Sequence, residues 1–334
     1  MSFRRRLSGP RRAAAWLALA AALVIGASSQ AQEAPNSYVI GSAQHGGLYR
    51  PLASSICQLL NKGTAEHGYR CRAIRSAGAV ENIISLAEGS AAFGLVQSDV
   101  ERQATAGIGE FAGSQPFEAL RSVLAAHGEP LTILVPADSE IHAFDDLPGH
   151  RVGIGPPGSG GRAMFNETMA AAGWTPAGFA ALAELSYDEL VAALCAGEID
   201  AAAITVGHPN SYTQRAILDC DARILPLAGP TVERVLGKIA SYRVLEIPGG
   251  LYANHATSIT SFGPVALLMT RADVADAAVE AITAAVLDQI ETLQQLSPAF
   301  QHLDAAAMYP AEASTPIHPG AARAFAARGL GPPQ

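Results

Sequence analysis

Five short segments concentrate the chain's capacity for binding chemistry: residues 42–49, 76–82, 97–99, 157–162 and 205–210. Each is polar, most carry glycine, and each lies where an apolar strand-like run gives way to a helical pattern. In open α/β sheets ligands sit beyond the carboxyl ends of the strands, which is where such segments fall. The helix that follows offers unpaired main-chain N–H groups and a partial positive charge, and glycine lets that backbone approach closely. Taken singly, each segment is an ordinary strand-to-helix turn. Their recurrence in both halves of the chain points to a clamp around one small anionic molecule.

Enzymatic readings of the same residues are weaker. Gly155-Pro-Pro-Gly-Ser-Gly-Gly-Arg162 nearly spells a P-loop, but that motif needs Lys and then Ser or Thr where Gly161 and Arg162 stand. Ser159, His208 and Asp200 supply the residue types of a hydrolase triad, yet the nucleophile elbow needs glycine at Pro157. No CxxC or HExxH occurs and the nine histidines are scattered, which argues against zinc. The chain is therefore expected to carry no catalytic residue, no metal and no cofactor.

The elements that must position these segments alternate along the chain. Strands are expected at 38–42, 71–75, 93–96, 131–136, 151–155, 201–207 and 265–270. Helices are expected at 48–61, 79–88, 162–172, 187–196 and 210–218. Such alternation predicts an α/β fold with mostly parallel sheet and covering helices. The alanine-rich, Gly- and Pro-free stretch 272–296 reads as one amphipathic core-facing helix, and 319–328 as a short one packing back on the body. With no low-complexity linker, two lobes would be joined by strands rather than by a tether.

The amino terminus sets the compartment. Arg4, Arg5, Arg6, Arg11 and Arg12 precede a short apolar run, and Ser29 and Ala31 give a small-x-small exit. This is the pattern of a signal peptide over residues 1–31, cleaved near Ala31, and it predicts a soluble periplasmic protein without stable membrane insertion. Removing five arginines and no acids from the formal charge of −8 leaves −13. So acidic a surface argues against nucleic acid or anionic membrane as partner. Four cysteines in an exported chain suggest two disulfides with three possible pairings. Cys57 with Cys71 and Cys195 with Cys220 is preferred, each pair joining a helix to a nearby strand region.

The loops also resemble a known family, the TAXI-type solute-binding subunits of TRAP transporters. The residues carrying the likeness are Gly41-Ser-Ala-Gln-His-Gly-Gly-Leu-Tyr49, Ser76-Ala-Gly-Ala-Val-Glu-Asn82 and Phe93-Gly-Leu-Val-Gln-Ser-Asp99. Asp145-Asp-Leu-Pro-Gly-His-Arg-Val-Gly153, residues 155–162, Val206-Gly-His-Pro-Asn210, Leu303-Asp-Ala-Ala-Ala-Met308 and His318-Pro-Gly-Ala-Ala322 continue it in order. The resemblance implies a type II periplasmic binding fold: two α/β lobes, a hinge and a central ligand cleft. Lobe I would comprise 32–126 plus 268–334, and lobe II 127–267. The partners it implies are a small anionic solute, glutamate-like or another carboxylate, and ion-gradient-driven membrane subunits of a TRAP transporter.

Carried over loop by loop, the likeness nominates Gly47, Tyr49, Ser76, Asn82, Gln97, Ser98, Ser159, Gly160, Arg162 and His208 as solute contacts. The chain departs from the family with Ala43, Gln44 and His45 in the first loop and with Arg75 before the second. Arg75 and Arg162 would meet a carboxylate, with the N–H groups of Gly47 and Gly160 completing its shell. Charge-assisted hydrogen bonds contribute about 1.5–3 kcal/mol each, so a few suffice for micromolar binding. A periplasmic sensor module acting on a membrane kinase would need the same closing cleft, and remains the alternative function.

Overall fold

The computed structural model describes residues 36–332; the expected leader lies outside them. In the first half of the fold, β1 (Ser37–Gly41) leads to α1 (Tyr49–Lys62) and a single turn, α2 (Thr64–His67). β2 (Arg70–Ile74), α3 (Ala79–Glu88), β3 (Phe93–Gln97), α4 (Ser98–Ala106) and β4 (Leu120–Gly128) follow. Helix α1 buries Leu52, Ile56, Leu59 and Leu60, the spacing of one helical face. Strand β3 is buried at every position because helices cover both faces of its sheet.

The second half repeats the plan. It runs β5 (Leu131–Pro136), β6 (Arg151–Ile154), α5 (Gly160–Ala172), β7 (Ala181–Glu184), α6 (Tyr187–Cys195) and β8 (Ala201–Thr205). Then come α7 (Ser211–Cys220), β9 (Ala222–Ile224), α8 (Pro230–Lys238) and the antiparallel pair β10 (Arg243–Ile247) and β11 (Ile259–Gly263). β12 (Val265–Arg271) re-enters the first sheet, and α9 (Asp276–Leu287), α10 (Ile290–Leu296) and α11 (Pro319–Ala326) finish the chain. The sheets read β2-β1-β3-β12-β4 and β7-β6-β8-β5-β9. In each, three parallel strands are followed by one that runs against them, β12 or β5, and then by a fifth, β4 or β9, that runs with the three. Four of the five strands in each sheet thus share one direction, as expected, and the sheets are mixed only because the strand that follows each crossing, β5 or β12, runs against them.

The chain crosses between halves at 129–130 and again at 264. The Glu129 N–H donates to the Pro264 carbonyl across the two crossings, 2.9 Å. A side chain on Gly263 would collide with the Glu129 carbonyl, so the crossings can lie this close only with glycine there. Separate apolar cores serve the two halves, one around Ile40, Leu52, Leu95 and Leu268, the other around Ile133, Phe144, Val152 and Phe165.

Both preferred disulfides are present, Cys57–Cys71 with Cα atoms 5.1 Å apart and Cys195–Cys220 at 5.0 Å. The first joins α1 to β2. The second joins the C-terminal ends of α6 and α7, two helices rather than a helix and a strand. The single helix expected over 272–296 is two, α9 and α10, separated where Gln289 leaves the helical region at φ −118° and ψ 28°. No helix among the described residues is long and apolar enough to cross a membrane.

Candidate functional site

The cleft between the halves is where the strand-to-helix loops meet. The loop after β1, the start of α3, the end of β3, the start of α5 and the loop after β8 enclose a cavity of about 50 Å³. That is room for a few waters or a small organic ion. Its lining includes Gly47 in the loop before α1 and Tyr49 at its start, Gly78 and Ala79 at α3, Gln97 at the end of β3, Ser159 and Gly160 at α5, and Glu129 from the first crossing.

Helix beginnings account for the polar character of this lining. Leu48, Gly78 and Gln97 precede α1, α3 and α4, and none of them caps its helix with a side chain. Ser159 precedes α5 and accepts from Arg162 N, 3.2 Å. First-turn N–H groups lack intrahelical acceptors, so these starts aim donors and partial positive charge at the cavity.

Glycine permits the closure. A Cβ on Gly160 would collide with Gln97 Oε1, and one on Gly161 with the Tyr187 hydroxyl. Gly78 has φ +137°, and its added Cβ would lie 3.4 Å from Ser159 Cα in the opposite half. Further contacts hold the halves together. Glu167 on α5 accepts from Arg102 and Gln103 on α4, the latter at 2.9 Å. Ser211 N donates to Gly46 O at 3.3 Å.

The nominated residues fall into two groups. Gly47, Tyr49, Gln97, Ser159 and Gly160 line the cavity; Arg75, Ser76, Asn82, Ser98, Arg162 and His208 do not. Ser76 Oγ and Asn82 Nδ2 both donate to the Ser42 carbonyl, at 2.8 and 2.7 Å, pinning the first two loops together. Ser98 Oγ accepts from Val265 N at the second crossing, 3.1 Å. His208, in a loop with a cis bond to Pro209, pairs with Thr132 Oγ1 at 2.9 Å and Tyr252 Oη at 2.6 Å. Arg162 donates to Glu184 at 2.8 Å and to Glu110 of the other half at 3.1 Å. Arg75 is exposed, with Tyr212 in electrostatic reach. Asp200 bonds to Arg151, so Ser159, His208 and Asp200 are not joined by hydrogen bonds to one another.

Sequence reasoning did not nominate Glu129, Tyr187 and Tyr212, nor Thr205 within the 205–210 segment, all of which also line the cavity. Glu129 is 3% exposed and accepts from Tyr49 Oη at 2.8 Å. Burial, reinforced by neighbouring Asp99, pushes its carboxyl up to about 8. Asp99, fully buried and hydrogen-bonded by Tyr242 at 3.2 Å, is pushed up to about 7, chiefly by burial. Burial acts oppositely on histidine, taking His127 down to about 4 and His208 to about 3.

Similar folds occur among solved structures. A Listeria monocytogenes protein described as an L-cystine ABC transporter is 14% identical, over 79% of this chain and 95% of that one, with a TM-score of 0.51. A Bordetella bronchiseptica RB50 protein is 16% identical, over 88% and 98%, with a TM-score of 0.50. The periplasmic aliphatic sulphonate binding protein SsuA of Escherichia coli is 18% identical over 90% of each chain, with a TM-score of 0.47. Two five-stranded α/β halves crossed twice by the chain are the type II periplasmic binding protein fold. The profile of the NMT1-like family matches residues 40–329, and the chain belongs to that family.

Proposed function

We propose that this chain is the periplasmic solute-binding protein of a TAXI-type TRAP transporter and catalyses no reaction. It captures a small anionic organic solute, glutamate-like or another carboxylate, and delivers it to ion-gradient-driven membrane subunits. One observation carries the reading: loops from both halves, ending at uncapped or serine-capped helix starts, enclose a single cavity. Such starts bind anions without a cationic side chain. Gly47, Tyr49, Gln97, Ser159 and Gly160 are the proposed contacts; Ser76, Asn82, Ser98 and His208 hold their loops in register. Arg162 fastens the halves, and exposed Arg75 draws the anion toward the cleft. The lobes, 32–126 with 268–334 and 127–267, close over the solute about the two crossings. Residues 1–31 direct export and are removed.

A thermal-shift screen of the purified protein against small carboxylates, sulphonates and amino acids, confirmed by calorimetry, tests this reading. At least one carboxylate binds at micromolar affinity with one site per chain. Binding only of neutral or cationic compounds would remove the anionic solute, and turnover of any bound compound would remove the non-catalytic reading.

A further inference from the structure

Glu129 is the one carboxyl among the residues lining the cavity, and no Lys or Arg lines it. It stands on the first crossing, where its main chain is tied to Pro264 of the second, so its side chain enters the cavity from the point about which the halves are joined. Tyr49 of α1 donates to Oε2, and the Gln97 amide lies alongside. The titratable groups facing it are Tyr49 on α1, Asp99 on α4 and Tyr187 on α6. Buried His127, two residues back on β4, is held neutral at physiological pH. None of these supplies a positive charge.

An ionised Glu129 in that setting would face Asp99 and any incoming anion with no counter-charge, in a medium where such repulsion is strong. Three helix starts attract an anion to the same small space. The arrangement is self-consistent when the carboxyl is neutral, because its O–H then adds a side-chain donor to the main-chain donors around the solute. Resting on the reading of this cavity as the solute site, we propose that Glu129 recognises the anion as a neutral acid. It donates its carboxyl hydrogen to the solute in a hydrogen bond. No bond of the solute is made or broken; below about pH 8 the ligand-free carboxyl already carries this proton, and above it a proton is taken from solvent with each anion and returned on release. The raised proton affinity of Glu129 and Asp99 agrees with this.

Calorimetry with glutarate and L-glutamate from pH 6 to 9.5, in buffers of different ionisation enthalpy, tests the proposal. For the wild-type protein, glutarate affinity falls above pH 8 with a slope approaching tenfold per unit, and heats between pH 7.5 and 8.5 report proton uptake on binding. E129Q, whose amide is a donor at every pH, flattens the profile and abolishes the uptake. Infrared difference spectra of ligand-free wild type minus E129Q at pH 6.5 show a neutral carboxyl band, a readout that needs no ligand. A flat wild-type profile, an affinity that rises with pH, or loss of that band overturns the proposal while leaving the solute site standing. So does tighter binding of L-glutamate than glutarate that disappears in E129Q, because an ionised Glu129 would then be holding an ammonium group. If neither probe binds at any pH while the band is present, the carboxylate reading fails and takes the proposal with it.

Discussion

The two faces of the cleft rest on the same strand order but begin their helices differently. In the second half, Ser159, Ser186 and Asn210 each cap a helix, accepting from Arg162 N, Glu189 N and Thr213 N. In the first half, α1, α3 and α4 start at Leu48, Gly78 and Gln97 without a side-chain cap. In the second half only α8, which begins at Gly229, lacks such a cap, and this half lines the cavity with Ser159, Gly160, Gly161, Tyr187, Thr205 and Tyr212. The first half leaves α1, α3 and α4 without a side chain before the helix to cap them, though the Glu81 N–H donates to the Gly158 carbonyl at 3.3 Å and the Val100 N–H to Asp99 Oδ1 at 2.9 Å. It brings Tyr49 and Gln97, with Glu129 entering from the crossing beside them. On the proposed reading, the uncapped starts of the first half would receive most of the solute's charge, and the second half would close over it.

The disulfides provide the largest test, because each half has its own. Removing Cys57–Cys71 or Cys195–Cys220 by paired Cys→Ser changes should cost about 3 kcal/mol in either case, read by denaturant unfolding, since both close short loops. Solute affinity should survive both losses; if only one pair mattered for binding, the symmetric role assigned to them would be wrong.

Gly160→Ala is the next largest. The added methyl meets Gln97 Oε1 across the closed cleft, so affinity should fall at least a hundredfold, about 2.7 kcal/mol, with melting temperature little changed. Gly178→Ala, where a Cβ meets nothing within 4 Å, is the matched control in the same half. Equal affinities for the two variants would show that the halves do not close on Gly160.

Cap deletions are smaller. Ser186→Ala should cost about 1 kcal/mol of stability without affecting the solute, since neither Ser186 nor its box partner Glu189 lines the cavity. Ser159→Ala should cost a similar amount and weaken binding too. A loss of affinity in Ser186→Ala would show that the second half's helix starts act together.

The pH dependence is the smallest effect. Glu129 and Asp99 hold their protons in the native state to about 8 and about 7, whereas the unfolded chain releases them in the ordinary carboxylate range. Stability from these groups is full below that range and is lost as pH rises through about 7–8. His127 and His208 have the opposite sign: the unfolded chain protonates near 6.5 while the native state resists, so stability is lost as pH falls below that. Between pH 6.5 and 9 the wild-type melting temperature should therefore decline, and that of E129Q should decline less.

Much of this architecture was legible in the amino-acid order because period and punctuation set it locally. The apolar run 131–136 and the helical pattern 79–88 occur as read. The loops were legible as loops for the same reason: glycine and serine follow each strand. The lining was legible only in part: Gly47, Tyr49, Gln97, Ser159 and Gly160 were nominated, Glu129 was not. Glu129 precedes Pro130 and an apolar run, as any turn residue might, and its burial depends on a second crossing far away in the chain at Pro264. Arg162 sits on the correct loop, but its guanidinium turns to Glu184 and Glu110, carboxylates that spacing does not place nearby. The edge strand β9 and the pair β10 and β11 are three to five residues long and mix polar with apolar residues, too short for periodicity to signal them.

A crystal structure with the tightest-binding solute of the screen tests the central claim most directly. The solute's acidic group should lie between the starts of α1, α3 and α5, within hydrogen-bond distance of Glu129 or Gln97, with both halves touching it. Density on an outer face, with this cavity unchanged, would contradict the account.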